Sequence, residues 1–128
     1  MPYYFSKVLA SEFDDAIQKV TEALKTEGFG VLSRIDVQKA MQEKMGVNFQ
    51  KYQILGACNP SFAYQALLAE DKIGTMLPCN IIVQELNEGQ IEVAAIDPVA
   101  SMQAIQNEEL ASIAIEVRDK LKDVIANL

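Results

Sequence analysis

The residues with the clearest chemical potential are two cysteines, each followed by an asparagine. Cys58-Asn59 lies in the stretch ILGACNP at residues 54–60, and Cys79-Asn80 lies in LPCNIIV at residues 77–83. Two thiols can bind a soft ion such as Cu(I), cycle through a disulfide, or carry sulfur. The chain has no histidine, so it lacks the commonest general base and the commonest transition-metal ligand. Any chemistry here therefore centres on sulfur.

Whether the two thiols meet depends on the strands that carry them. Residues 51–57 (KYQILGA) predict a strand that ends beside Cys58, and residues 80–86 (NIIVQEL) predict one that starts after Cys79. The turn signal Asn87-Glu88-Gly89 leads into a further strand at 90–96, so these last two strands form a hairpin. If the strands at 51–57 and 80–86 are antiparallel neighbours, both cysteines reach one end of the sheet.

The remaining segments alternate between strands and helices. Strands are predicted at 3–9 and 29–35; helices are predicted from a cap at Ser11 to Gly28, from Asp36 to Gly46, from Asn59-Pro60 onwards, and over about 107–127. The order is β-α-β-(α)-β-(α)-β-β-α. It predicts a single domain over residues 1–128 with an α+β fold in two layers. A five-stranded, mostly antiparallel sheet would carry the two long helices on one face.

The candidate site is a rim at one end of this sheet. Its members are residues at strand ends and helix starts: Cys58, Asn59, Pro60, Pro78, Cys79, Asn80, Asp97 and Pro98. Two helix N-termini at the rim would attract an anion and lower the pKa of a nearby thiol. Cys58 and Cys79 are the predicted metal ligands, although two cysteines make a poor zinc site unless a dimer supplies four.

A structural interpretation explains the same residues. Asn59 and Asp97 are typical helix caps, and a buried cysteine often serves as a small apolar filler. The methionines are interpreted as core fillers rather than as metal ligands: Met41, Met45, Met76 and Met102. The two interpretations differ in whether the sulfur atoms share one environment.

Charge and hydropathy exclude several kinds of partner. Eleven basic and 18 acidic residues give a net charge of −7, which repels nucleic acid and anionic lipid. The N-terminal residues do not resemble a signal peptide, and no apolar run approaches the roughly 18 residues of a membrane span. The expected location is the cytoplasm, where cysteines are usually thiols. No nucleic-acid or membrane partner is predicted, and the sequence identifies no cofactor.

The predicted sheet has apolar residues on both faces. Tyr4 and Val8 lie on one side of the first strand, while Phe5 and Leu9 lie on the other. A sheet that is apolar on both faces must be covered on both. The short helices or a second copy of the chain would provide that cover, so a homodimer is expected.

Longer motifs around the cysteines resemble a known family. The runs YQILGACNPSFAYQAL, IGTMLPCNIIVQE and AAIDP, preceded by GFGVLSRIDVQKAMQEKMG, are similar to the family called domain of unknown function 302 and cover about residues 28–98. The resemblance implies a TATA-binding-protein-like fold, β-α-β(4)-α, often found as a dimer. That fold makes no claim about DNA.

The resemblance also separates two groups of rim residues. It implies that Gly56, Asn59, Pro60 and the Asp97-Pro98 pair are shared within the family, whereas another branch keeps them without the cysteines. Cys58 and Cys79 would then be an addition specific to one branch. The family's own description supplies no function.

Three functions remain open from the sequence. The first is a non-catalytic domain that binds a small ligand or soft metal ion at the rim. The second is a thiol-redox or sulfur-transfer enzyme that uses Cys58 and Cys79. The CxxC spacing typical of such enzymes is absent, because these cysteines are 21 positions apart. The third is a structural module whose apolar sheet face mediates dimerisation.

Overall fold

The computed structural model describes residues 2–128, and their elements alternate in the predicted order. The elements are β1 (Tyr4–Ala10), α1 (Phe13–Thr26), β2 (Gly30–Asp36), α2 (Val37–Met45), β3 (Tyr52–Cys58), α3 (Pro60–Ala69), a 3₁₀ helix (Asp71–Met76), β4 (Cys79–Asn87), β5 (Gln90–Ile96), α4 (Pro98–Ser101) and α5 (Glu108–Ala126). The predicted α+β fold is confirmed. The bounds of β5 match the prediction, and β1 to β3 are displaced by one residue.

The five strands form one sheet in the order β1-β5-β4-β3-β2. Every neighbouring pair is antiparallel. The pairing of β3 with β4, on which the predicted rim depends, is confirmed by the register that places Ala57 opposite Cys79. The β4–β5 hairpin is also confirmed, with Ile81 opposite Ala95. The end of β3, the start of β4 and the end of β5 therefore meet along one border of the sheet.

The two long helices bury their apolar stripes against one face of the sheet. The buried residues of α1 are Phe13, Ala16, Ile17, Val20 and Leu24, and those of α5 are Leu110, Ile113, Ala114, Val117, Leu121, Val124 and Ile125. They join Leu55, Ile81 and Val93 of the central strands in one core. The helical spacing of these residues made the stripes recognisable in advance, and removal of their apolar surface from water stabilises the packing.

At the ends of α1 and α2, the predicted capping residues are confirmed with one exception. Gly28 after α1 and Gly46 after α2 have positive φ angles of 84° and 66°, as expected for helix-terminating glycines. Asp36 accepts a hydrogen bond from a backbone N–H in the first turn of α2. The predicted cap at Ser11 is wrong, because α1 has Glu12 at its N-cap position and the Ser11 hydroxyl donates to the Glu12 carbonyl (2.9 Å).

The second face of the sheet carries no long helix in residues 2–128, and an apolar row crosses it. Ile35 pairs with Ile54, Ile54 with Ile82, and Ile82 with Ala94, so these four side chains share a face. Ile35 remains 51% exposed. In the short helix α2, none of the residues Val37–Met45 is buried. We call this surface the open face.

Candidate functional site

The two cysteines occupy adjacent strand ends beneath the helical layer. Cys58 is the last residue of β3 and is half-buried; Cys79 is the first residue of β4 and is 9% exposed. Ala57 pairs directly with Cys79, and Cys58 is the next residue after that partner, opposite Gly30 of β2. Both are free thiols. The predicted meeting of the two cysteines at one end of the sheet is therefore present.

Cys58 and Cys79 both contribute to the lining of one cavity of about 50 Å³ between the sheet and helices α3 and α5. Nearly all of its lining is apolar: Phe29, Ala57, Cys58, Asn59, Phe62, Ala63, Ala66, Leu77, Cys79, Pro98, Met102, Leu110, Ile113, Ala114 and Val117. One water molecule needs about 10–15 Å³, and pockets for drug-sized ligands run to roughly 300–1,000 Å³. The cavity therefore suits an ion or a group of a few atoms.

The electrostatic environment of the thiols differs from the prediction. Burial raises the pKa of the Cys58 thiol. Burial, reinforced by the nearby Cys58, raises the pKa of Cys79 from its ordinary 9.0 to about 11. The expected lowering by helix N-termini is wrong, because loss of water around the sulfur disfavours the thiolate. Both thiols are protonated at neutral pH and are weak nucleophiles, which counts against thiol catalysis.

Asn59 joins the site to the end of α1. It occupies the N-cap position of α3, but its side chain makes no capping hydrogen bond. Its amide nitrogen instead donates to the Glu27 carbonyl (3.3 Å). The interpretation of Asn59 as a side-chain cap is therefore wrong, although Pro60 does occupy the first turn of α3 as predicted. Asn59 holds the β3–α3 junction, and with it Cys58, against the α1 terminus.

Asp97 acts as the predicted cap at the end of β5. Its carboxylate accepts a hydrogen bond from the Val99 backbone N–H (2.9 Å), and its own N–H donates to the Tyr3 carbonyl (2.7 Å). The helix that it caps, α4, has only four residues. We therefore assign Asp97 a structural role, while the adjacent Pro98 is buried and lines the cavity.

Gly56 and Asn80 lie on the open face, away from the cavity. They pair with each other across β3 and β4. A Cβ atom on Gly56 would lie 2.7 Å from Cγ of Pro78 and would also clash with the Ser33 hydroxyl. Gly56 therefore allows the chain entering β4 to pass close over β3, immediately before Cys79.

Similarity to known proteins covers the whole fold. A family model described as domain of unknown function DUF302 matches residues 5–128. The chain belongs to the DUF302 family. The crystal structure of an uncharacterized conserved DUF302 protein from Bacillus stearothermophilus is 27% identical, covers 98% of both chains and has a TM-score of 0.89. No curated protein matches. The family resemblance seen in the sequence is confirmed, and the match extends to the flanking strand and helices.

Two methionines belong to the surroundings of the thiols in this DUF302 domain. Met102 lines the cavity beside the cysteines. Met76 and Met102 also line a second cavity, of about 230 Å³, together with Cys79. The interpretation of the methionines as core fillers overlooked this placement, and it was wrong for three of them, which are exposed: Met41 (36%), Met45 (69%) and Met76 (40%). The closeness of Met76 to Cys79 in the sequence was the one available signal.

In residues 2–128, clusters of metal-binding side chains and membrane-spanning helices are both absent. No group of three or more histidine, cysteine, aspartate or glutamate side chains is arranged to hold a metal ion there. In the same range, no helix is both long and apolar enough to cross a bilayer. The cytoplasmic location stays a prediction.

Proposed function

We propose that this DUF302 domain is a non-catalytic protein that binds Cu(I) through Cys58 and Cys79. The observation that carries the proposal is that two free cysteines on adjacent strands contribute to the same small apolar cavity and lie close enough for Cys58 to affect the pKa of Cys79. Soft sulfur ligands favour Cu(I) over hard cations. The sequence predicted either a small ligand or a soft metal ion. The cavity volume of about 50 Å³ accommodates an ion, so we propose the metal ion.

Binding requires deprotonation and no change of oxidation state. Each thiol releases its proton to solvent as its sulfur forms a bond to the ion. Because the pKa of each thiol is raised, protons compete with Cu(I) at neutral pH and affinity should increase with pH. The complex of one Cu⁺ with two thiolates carries one negative charge. The N-terminus of α3, which follows Cys58 directly, supplies partial positive charge that favours it.

Zinc binding and thiol catalysis fit these cysteines less well than Cu(I) binding does. Zinc in a structural site takes four cysteine or histidine ligands, and the described chain offers two cysteines at the cavity. A reductase or sulfur transferase needs a thiolate nucleophile, whereas burial raises the pKa of both thiols. A binding role uses these protonated, shielded thiols without requiring them to attack a substrate.

The test is anaerobic titration of fully reduced protein with Cu(I) in competition with a chromogenic chelator. We expect one Cu(I) per chain, with higher affinity at pH 8 than at pH 6. Cys58→Ala and Cys79→Ala should each weaken binding by roughly 100-fold or more, since 100-fold is the upper range for loss of a residue that only orients a metal ligand. Lack of uptake by the reduced protein, or uptake that persists in the double variant, would refute the proposal.

A specific feature of the sheet favours a second role, homodimerisation through the open face. Five strands spaced by about 4.8 Å, with seven or more residues rising about 3.3 Å each, present a surface of roughly 20 Å by 20 Å. Its flat projection is about 400 Å², and stable interfaces bury about 800 Å² of accessible surface per partner, so the side chains that project from the face and its edges must supply the rest. The exposed apolar row through Ile35 and Ile82 would form the centre of contact with a second copy.

Sedimentation equilibrium at tens of micromolar should show a dimer, and Ile82→Lys should convert it to a monomer. The substitution places a charge at the middle of the proposed contact, where burying it without a partner is costly. Ile115→Lys is the matched control, since Ile115 is 44% exposed on the opposite, helical side. Circular dichroism should show that both variants are folded. A monomeric parent protein would disprove dimerisation.

A further inference from the structure

We infer that the Met102 thioether is a third ligand of the bound Cu(I), which makes the site a three-sulfur centre. The inference rests on the proposed function. Met102 lines the cavity that contains Cys58 and Cys79, and it also lines the adjoining cavity that contains Cys79. Cys79 and Met102 thus share both cavities, so Met102 neighbours the more deeply buried cysteine from two sides.

The chemistry of a thioether suits this position. It is a soft, neutral ligand that favours Cu(I) and carries no proton at any ordinary pH. A third ligand that adds no charge strengthens binding without a further charge to bury in apolar surroundings. Met102 follows α4 and precedes α5, so the corner built by Asp97 and Pro98 determines where its side chain lies.

Met76 provides a contrast within the same region. It lines the second cavity but not the first, and it is 40% exposed. If the ion lies between the two cysteines, Met76 is outside its coordination sphere. The structure therefore assigns different roles to two methionines that both lie near Cys79.

Met102→Leu is the decisive variant, because leucine keeps the volume and removes the sulfur, a change that cores tolerate well. We expect about a 10-fold loss of Cu(I) affinity, of equal size at pH 6 and pH 8 because the thioether does not titrate. X-ray absorption should count three sulfur neighbours of copper in the parent protein and two in this variant. Met76→Leu, and Met45→Leu on the remote helix α2, should bind as the parent does.

The outcomes separate the two proposals. Copper bound by two sulfurs in both parent and Met102→Leu, with equal affinity, would overturn the role of Met102 and leave the cysteine site intact. An equal loss in Met76→Leu would also overturn it, since the ion would then lie in the second cavity. Failure of the parent protein to bind Cu(I) would overturn the proposed function together with this inference.

Discussion

Replacing Gly56 by alanine is expected to lower the free energy of unfolding by about 1–3 kcal/mol, the usual range for overpacking. The added Cβ would lie 2.7 Å from Cγ of Pro78 and would clash with the Ser33 hydroxyl. A serine hydroxyl can rotate away, but a proline ring is rigid and is joined to the start of β4. Relief of the clash therefore requires displacement of the chain that leads into Cys79. Urea denaturation measures the loss directly.

The matched control for this substitution is Gly30→Ala. Gly30 is also a strand glycine, and a Cβ atom there would meet nothing within 4 Å. Its stability should change by less than about 0.5 kcal/mol, as for most surface substitutions. Gly56→Ala should in addition speed alkylation of Cys79, because movement of Pro78 uncovers the thiol. Equal stability of the two variants would show that the contact of Pro78 with Gly56 has no energetic weight.

Raising the pH from 9 to 11 is expected to remove about 2 kcal/mol of stability through Cys79 alone. Its pKa is about 11 in the folded protein, compared with the ordinary 9.0 expected in the unfolded chain. Between these values the unfolded state releases the thiol proton while the folded state retains it. The stabilising contribution is therefore complete below pH 9 and disappears as the pH rises through about 11. Each pKa unit corresponds to about 1.4 kcal/mol.

The contribution of Cys79 is isolated by comparison with Cys79→Ala under reducing conditions. All other ionisable groups are common to both proteins, so their effects cancel in the difference. The difference in unfolding free energy between parent and variant should be constant from pH 7 to 8.5 and should decline above pH 9. Cys58→Ala should retain most of the decline, because burial is the larger cause of the raised Cys79 pKa. If the unfolding free energies of the parent and Cys79→Ala change in parallel up to pH 11, the raised pKa of Cys79 is contradicted.

The same apolar surroundings protect the two thiols from chemical reaction and suit them to binding a soft cation. The apolar surroundings that raise their pKa values also suppress the thiolate and reduce the rate of oxidation or alkylation. A soft cation can still compete with the protons, because it forms a bond to each sulfur. The cavity is thus better suited to holding an ion than to attacking a substrate.

The sequence by itself determined the order of the elements and the hairpin, and it predicted the shared border of the sheet on the assumption that β3 pairs with β4. Turn residues such as Asn87-Glu88-Gly89 and the spacing of apolar residues in α1 and α5 are local signals, and antiparallel pairing converts strand order into position. The choice of β4 as the neighbour of β3 then brought Cys58 and Cys79 together.

Only the tertiary structure decided what surrounds those thiols. The partner of Asn59 is a carbonyl 32 residues away, and Pro78 packs on Gly56 from another part of the chain. Met102 reaches the cavity from the segment between α4 and α5. The direction of the thiol pKa shifts depends on how completely these distant groups exclude water. Desolvation is a property of the packed environment and not of the local sequence, which is why the rim was predicted and its electrostatics were not.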